Sequence, residues 1–208
     1  VFNGFTTSSG KQIIDAKGNW SSEADYNYFT SNTTLYAQWS PADNVQYAVN
    51  HWKQKLYHDG TKDYTDSLVY DEDNYSLSDT EVLTGVTGSK VTPERKNYNG
   101  FTAPSGIEVT IKSDGSTVVD YYYTRNSYIL TVKPNGSTWN GSTENRSYTL
   151  RYEEEMNIPN PSRVGYIFKK WIMTPTDKES SITDKNNTSK TFKMGYANTT
   201  LTVTMGKG

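Results

Sequence analysis

Thr199-Thr200-Leu201-Thr202-Val203-Thr204-Met205 alternates polar and apolar residues, and it repeats an earlier stretch, Thr33-Thr34-Leu35-Tyr36-Ala37-Gln38-Trp39. Each copy follows a short aromatic segment at the same interval: 28 residues run from Phe5 to Thr33, and 28 from Trp171 to Thr199. A looser copy pairs Asn99-Gly100-Phe101-Thr102 with Ser116-Thr117-Val118-Val119-Asp120-Tyr121-Tyr122-Tyr123, with only 16 residues from Phe101 to Thr117. Period-two alternation marks half-buried strands. Recurrence at a set spacing marks a modular array rather than one enzyme domain. The spacings give two module types in the order A–B–A. The forty residues Tyr128–Ile167 precede the aromatic segment of the second A copy and have no counterpart in the first. Module one therefore reads as truncated, lacking its opening hairpin. The expected modules are 1–41, 44–126 and 127–208, joined at Ser40–Asn44 and at Thr124–Ser127.

Composition bounds what such modules can do. Apolar residues make up 33 % of 208, while aromatics reach 13 %, with 17 Tyr and 5 Trp. Each buried aromatic removes about 150–250 Å² from water, so a few can serve a thin core. The net charge is −2, without a basic stripe, which leaves nucleic-acid binding no electrostatic footprint. No apolar run approaches the ~18 residues of a membrane helix, so no membrane insertion is expected. Cysteine is absent, which excludes disulfides and thiolate metal sites. A Cys-free chain rich in Thr, Ser, Asn and Tyr fits an exported bacterial protein better than a cytosolic one.

Strand signals dominate locally. Val45–Trp52, the turn at His58-Asp59-Gly60 and Tyr64–Tyr70 predict a hairpin. Ile107–Lys112, Ser113-Asp114-Gly115 and Thr117–Tyr123 predict a second, because Asp-Gly supplies the positive φ of a tight turn. Tyr128–Val132, turning at Pro134-Asn135-Gly136, is expected to return through Ser147–Tyr152. Thr92–Asn97 is the best short helix candidate, with Thr92 as cap and Pro93 in the first turn. Ser162–Gly165 is a weaker one.

These residues carry two family resemblances. Leu130-Thr131-Val132-Lys133-Pro134-Asn135-Gly136, Ile158-Pro159-Asn160-Pro161 and Gly165-Tyr166-Ile167-Phe168-Lys169-Lys170-Trp171 resemble the Listeria–Bacteroides repeat, known also from internalin B repeats. Thr33–Trp39 resembles its closing signature. The chain departs from the pattern where Lys170 stands for the usual Gly, where Phe5 stands for the Trp, and where Val203-Thr204-Met205 replaces the closing Ala-Gln-Trp. The middle module resembles the mucin-binding-protein type repeat through Tyr47–Trp52, Gly85-Val86-Thr87-Gly88, Tyr98–Phe101 and Val119–Arg125. These resemblances cover nearly the whole chain. They imply a mainly β (α+β) protein of tandem, small, ubiquitin-like β-grasp modules in an elongated arrangement. They also imply a place on bacterial surface proteins, as stalks that sometimes contact glycans.

The catalytic inventory is thin. His51 lies mid-strand and His58 in a turn, no Gly-x-Ser-x-Gly elbow occurs, and no phosphate-cradling loop is present. No catalytic residue and no cofactor is expected. Asp71, Glu72 and Asp73 could offer oxygens to Ca²⁺, as could Glu153–Glu155; the competing reading is a solvated acidic edge. Trp20, Tyr26, Tyr28, Tyr121 and Tyr123 are the candidate ligand-binding aromatics, able to stack on sugars if exposed; packing is the competing reading. Tyr121 and Tyr123 share one strand face, with Tyr122 opposite. The sequence thus points to a non-catalytic stalk or spacer with adhesive potential. Its alternative is a glycan-binding module for mucin-type glycans, and its expected partners are glycans, proteins or neighbouring domains.

Overall fold

The computed structural model describes residues 1–22 and 29–208. Its described residues form strands, turns and irregular segments, with no helix among them. The fold is mainly β, and the α part of the expected α+β class is not seen. Among the described residues no helix is long and apolar enough to cross a membrane.

Sixteen strands succeed one another among the described residues. β1 (Phe2–Thr6), β2 (Gln12–Ile14) and β3 (Tyr36–Trp39) make a sheet of order β2-β1-β3. The middle of the chain supplies β4 (Val45–Gln54), β5 (Tyr75–Gly85), β6 (Lys90–Val91), β7 (Phe101–Thr102), β8 (Val109–Thr110) and β9 (Val118–Arg125). They form a sheet of order β5-β4-β9-β7 and a two-stranded ribbon β6-β8. The last third supplies β10 (Ser127–Lys133), β11 (Arg146–Arg151), β12 (Glu155–Pro159), β13 (Tyr166–Thr174), β14 (Ser181–Asn186), β15 (Ser189–Lys193) and β16 (Thr199–Lys207). Their sheets are β11-β10-β16-β13 and β12-β15-β14.

Two compact units emerge: Val1–Val49 with Glu81–Pro93 and Ile107–Val119, and Asn50–Thr80 with Glu94–Gly106 and Asp120–Gly208. In the first, Ile13 is fully buried, as are Val49, Ile111 and Val119. In the second, the apolar core gathers Leu130, Val132, Trp139, Ile158, Trp171, Phe192, Leu201 and Val203. The first and last strands of the last third, β10 and β16, run parallel in the centre of the β11-β10-β16-β13 sheet. The β5-β4-β9-β7 sheet has the same order. Asn50 bonds Asp120, and Gln54 bonds the Arg125 N–H, so the pairing climbs both strands together and β4 and β9 are parallel too.

Four local expectations are overturned. The Ser113-Asp114-Gly115 turn forms, with Gly115 at φ +74°, but it joins no hairpin. β8 pairs with β6, while β9 pairs with β4 and β7, so both edges of β9 are already taken. Tyr64–Tyr70 is not a strand; beyond one bridge, Tyr57↔Tyr64, the chain turns through Asp66, whose carboxylate accepts the Leu68 N–H. The partner of β4 starts later, at Tyr75. Thr92–Asn97 is irregular rather than helical. Its backbone is spent on tertiary bonds: the Lys96 N–H donates to Tyr123 Oη, and Pro93 is buried. Ser162–Gly165 is a bridge and turn. The expected β10 hairpin does form, pairing with β11 from Ser127↔Arg151 to Val132↔Arg146.

Candidate functional site

The densest polar constellation lies in the second unit, where β9 gives way to β10. Asn126 alone separates the two strands. It is bonded on every side: its N–H donates to Gly100 O (2.9 Å), its carbonyl accepts the Tyr152 N–H (2.8 Å), and its Oδ1 accepts from Thr102 Oγ1 (2.6 Å). A linker tied down in this way has little freedom left to lose, so the connection is a joint, not a tether.

Two arginines reach across this joint in opposite directions. Arg125, at the end of β9, donates to Gln54 O (3.1 Å), Tyr152 O (2.8 Å) and Glu153 Oε2 (2.7 Å). Its side chain is only 8 % exposed. Arg151, at the end of β11, donates back to Leu56 O (2.8 Å) and Thr65 Oγ1 (3.3 Å). A planar guanidinium can fix several acceptors at once, which a lysine cannot. Around Arg151, Glu154 Oε2 accepts the Arg151 N–H and Oε1 accepts the Tyr64 hydroxyl. That bond holds the Tyr64 phenol up at about 12. Burial, with the Arg125 charge beside it, lowers the Arg151 guanidinium from its ordinary value.

The other side of the joint is aromatic. The ring of Tyr152 lies on the backbone of Gly100, where a Cβ would stand 2.2 Å from Tyr152 Cγ. Gly100 also has φ +76°, so glycine is required there twice over. Burial raises the Tyr152 phenol, aided by its bond to Glu179. Glu179, which also accepts from Asn99, is held below its ordinary value by Tyr152 first and Asn99 second. Glu153 and Glu179 both take left-handed φ angles, 67° and 64°. Non-glycine residues keep such angles where surrounding contacts over-determine them.

A cavity of about 390 Å³ opens beside the joint, lined by Lys53, Tyr98, Asn99, Phe101, Arg125 and Tyr152 among others. The Lys53 ammonium sits 3.8 Å from the Tyr98 ring centroid. Ser76 and Glu153 complete its lining. His51 is fully buried, with its Nδ1 2.8 Å from Tyr123 Oη. That oxygen also accepts the Lys96 N–H, so the imidazole is a hydrogen-bonded member of the core.

The sequence-derived candidates do not converge here. Trp20 is exposed; Tyr26 and Tyr28 lie outside the described residues. Tyr121 and Tyr123, offered as exposed stacking residues, are both 0 % exposed. Their shared face is the core face of an interior strand, as the alternating burial of β9 requires. Tyr122, opposite, stacks on Tyr70 (4.5 Å) and lies 6.0 Å from Trp52. Asp71 turns its carboxylate onto Asn74, accepting from its N–H (3.0 Å) and Nδ2 (2.8 Å), and that bond holds it below its ordinary value. Among the described residues no group of three or more His, Asp or Glu is placed to hold a metal, Glu72 and Asp73 included. Sequence reasoning missed Arg125, Arg151, Tyr64, Tyr152 and Glu179. The available signal was an arginine at the end of each of two strands, β9 and β11.

Comparison of the chain with protein-family models, with curated proteins and with solved structures finds no match.

Proposed function

We propose that this chain is a non-catalytic, tandem-module segment of a bacterial cell-surface protein that works as a rigid spacer. One observation carries the reading. The middle and last modules are connected by a single residue and clasped by two reciprocal arginines, so displacement at one is passed to the next. The repeated strand order supports β-grasp modules: in both sheets a parallel first–last pair is flanked by the second strand and a later one. An extracellular location and an elongated arrangement follow from the resemblances to surface repeats. Small-angle scattering of the full chain tests the spacer. A rod-like profile that Arg125→Ala/Arg151→Ala makes more heterogeneous is expected; a compact globe overturns it.

A second reading, glycan binding, has its own observation. Tyr70, Tyr122 and Trp52 form a partly exposed aromatic stack, next to a shallow cleft lined by Trp52, Lys55, Glu72, Tyr75 and Ser76. Flat rings beside polar groups suit sugar rings. A glycan array with no signal above background at high protein concentration removes this reading.

A further inference from the structure

β3 is half of a pattern that the chain elsewhere completes. In the last module β16 is central, with β13 on one edge and β10 on the other. β3 has β1 on one edge and, among the described residues, no strand on the other. The correspondence holds residue by residue. Phe2 faces Trp39 and Phe5 faces Ala37 in β1·β3; Phe168 faces Met205 and Trp171 faces Val203 in β13·β16. Both ladders slip register at the same point, between Phe2 and Gly4 and between Phe168 and Lys170. Both aromatic pairs meet edge-on, Phe2–Phe5 at 5.3 Å and Phe168–Trp171 at 5.8 Å.

What differs is the cover. Leu201 and Val203 are fully buried on β16, where β10 brings Val132 opposite Leu201. Their equivalents in the first copy, Leu35 and Ala37, are part-buried and exposed, and Trp39 is 72 % exposed. The strand itself is shorter where the partner is missing. β10 pairs with Thr199–Thr202; the equivalent residues are Thr33–Tyr36, and β3 begins only at Tyr36. Unpaired backbone groups on an exposed edge are a template for strand addition.

We infer that the open edge of β3 is a docking site for a β-hairpin of the β10–β11 pattern, whose first strand enters parallel to β3. The register is fixed by the completed copy: the guest's equivalents of Leu130, Val132 and Lys133 lie opposite Thr33, Leu35 and Tyr36. The guest needs apolar residues at the first two positions and a polar one between. A second copy of this chain is no donor of that hairpin, because its own β10 is held between β11 and β16. The inference stands apart from the spacer reading, since it concerns a different sheet.

The test uses the full chain and a synthetic peptide with the sequence of residues 127–152. Titration should shift the backbone NMR signals of Thr33–Trp39 and slow their amide exchange at least tenfold. A peptide with Leu130→Asp and Val132→Asp, or a host with the exposed Ala37→Asp, should lose the effect. To guard against peptide aggregation, the same hairpin is fused ahead of Val1 through a flexible linker, and should give the same protection. No protection of Thr33–Trp39 in either format overturns the proposal. So do shifts confined to β16, which mean strand exchange, and prior protection of β3 in a dimer of the free chain.

Discussion

The β11-β10-β16-β13 and β5-β4-β9-β7 sheets share a strand order and differ in what they bury. The first closes over an apolar cluster in which Trp139, Trp171 and Phe192 meet aliphatic side chains. The second buries His51, Tyr75, Tyr121 and Tyr123 together with Gln54 and Asn74, all of them in the same compact unit as that cluster. Two of its tyrosines are satisfied: Tyr75 Oη donates to Ser67 O, and Tyr123 Oη serves both His51 and Lys96. Strand order therefore does not dictate core chemistry. A polar interior specifies its packing through hydrogen bonds, and each one left unmade is costly in a low-dielectric setting.

The largest effect should come from the apolar core. Trp139 is 1 % exposed, and its Nε1 donates to Pro159 O. Trp139→Ala is expected to cost about 3–5 kcal/mol, read from urea unfolding. In the polar core the corresponding probe is a single atom. Tyr123→Phe leaves the Lys96 N–H without this acceptor and His51 Nδ1 without this partner, at about 1–3 kcal/mol for each group left unsatisfied. A Tyr123→Phe protein as stable as the parent would show that the polar core adds nothing, and the contrast between the two sheets would fail.

The joint lies next in size. Arg151→Ala removes charged donors from Leu56 O and Thr65 Oγ1, and about 1.5–3 kcal/mol should be lost. NMR relaxation should then report the two sheets tumbling separately; unchanged, common tumbling would mean that Arg125 and Asn126 suffice to hold them. The joint should also loosen at both ends of the pH scale. Tyr64 and Tyr152 titrate higher in the folded chain than unfolded, so their contribution is full below the ordinary phenol range and is lost as pH climbs through about 12 for Tyr64. Glu179 titrates lower when folded, so its contribution is present above the ordinary carboxylate range and is lost as pH falls through its folded value. Tyr64→Phe should flatten part of the alkaline limb of a melting-temperature profile and leave the acid limb intact.

The sequence made the repeats legible because spacing and alternation are local properties. The pairing of Phe2 with Trp39 and of Phe168 with Met205 reproduces the correspondence read from the two 28-residue intervals. It could not reveal partners chosen at a distance. Asp114-Gly115 marks a turn correctly, yet whether the flanking strands meet depends on which edges β4, β6 and β7 have already claimed. Thr92-Pro93 carries a local helix signal that loses to the bond between Lys96 and Tyr123, 27 positions apart. The clasp was hidden for the same reason. Arg151 and Leu56 are 95 positions apart, and nothing in either residue names the other. Gly100 was visible only as part of the repeated Asn-Gly-Phe-Thr stretch, while its main requirement is the Tyr152 ring upon it.

The finest test sets two tryptophans of one core against each other. They meet edge-on at 6.2 Å, yet only Trp139 has a partner for its indole N–H, whereas Trp171 Nε1 is buried without one. Replacing either by Phe removes similar apolar contact. Trp139→Phe also strands the Pro159 carbonyl, whereas Trp171→Phe removes a donor whose burial already costs about 1–3 kcal/mol. The gain should nearly offset the lost packing, so Trp171→Phe is expected within about 1 kcal/mol of the parent and Trp139→Phe clearly below it. Equal losses in the two variants would mean that packing alone sets the energetics of this core. A gap of the expected sign would show that hydrogen-bond satisfaction matters in the apolar sheet as well, and the contrast with the tyrosine-filled sheet would become one of degree.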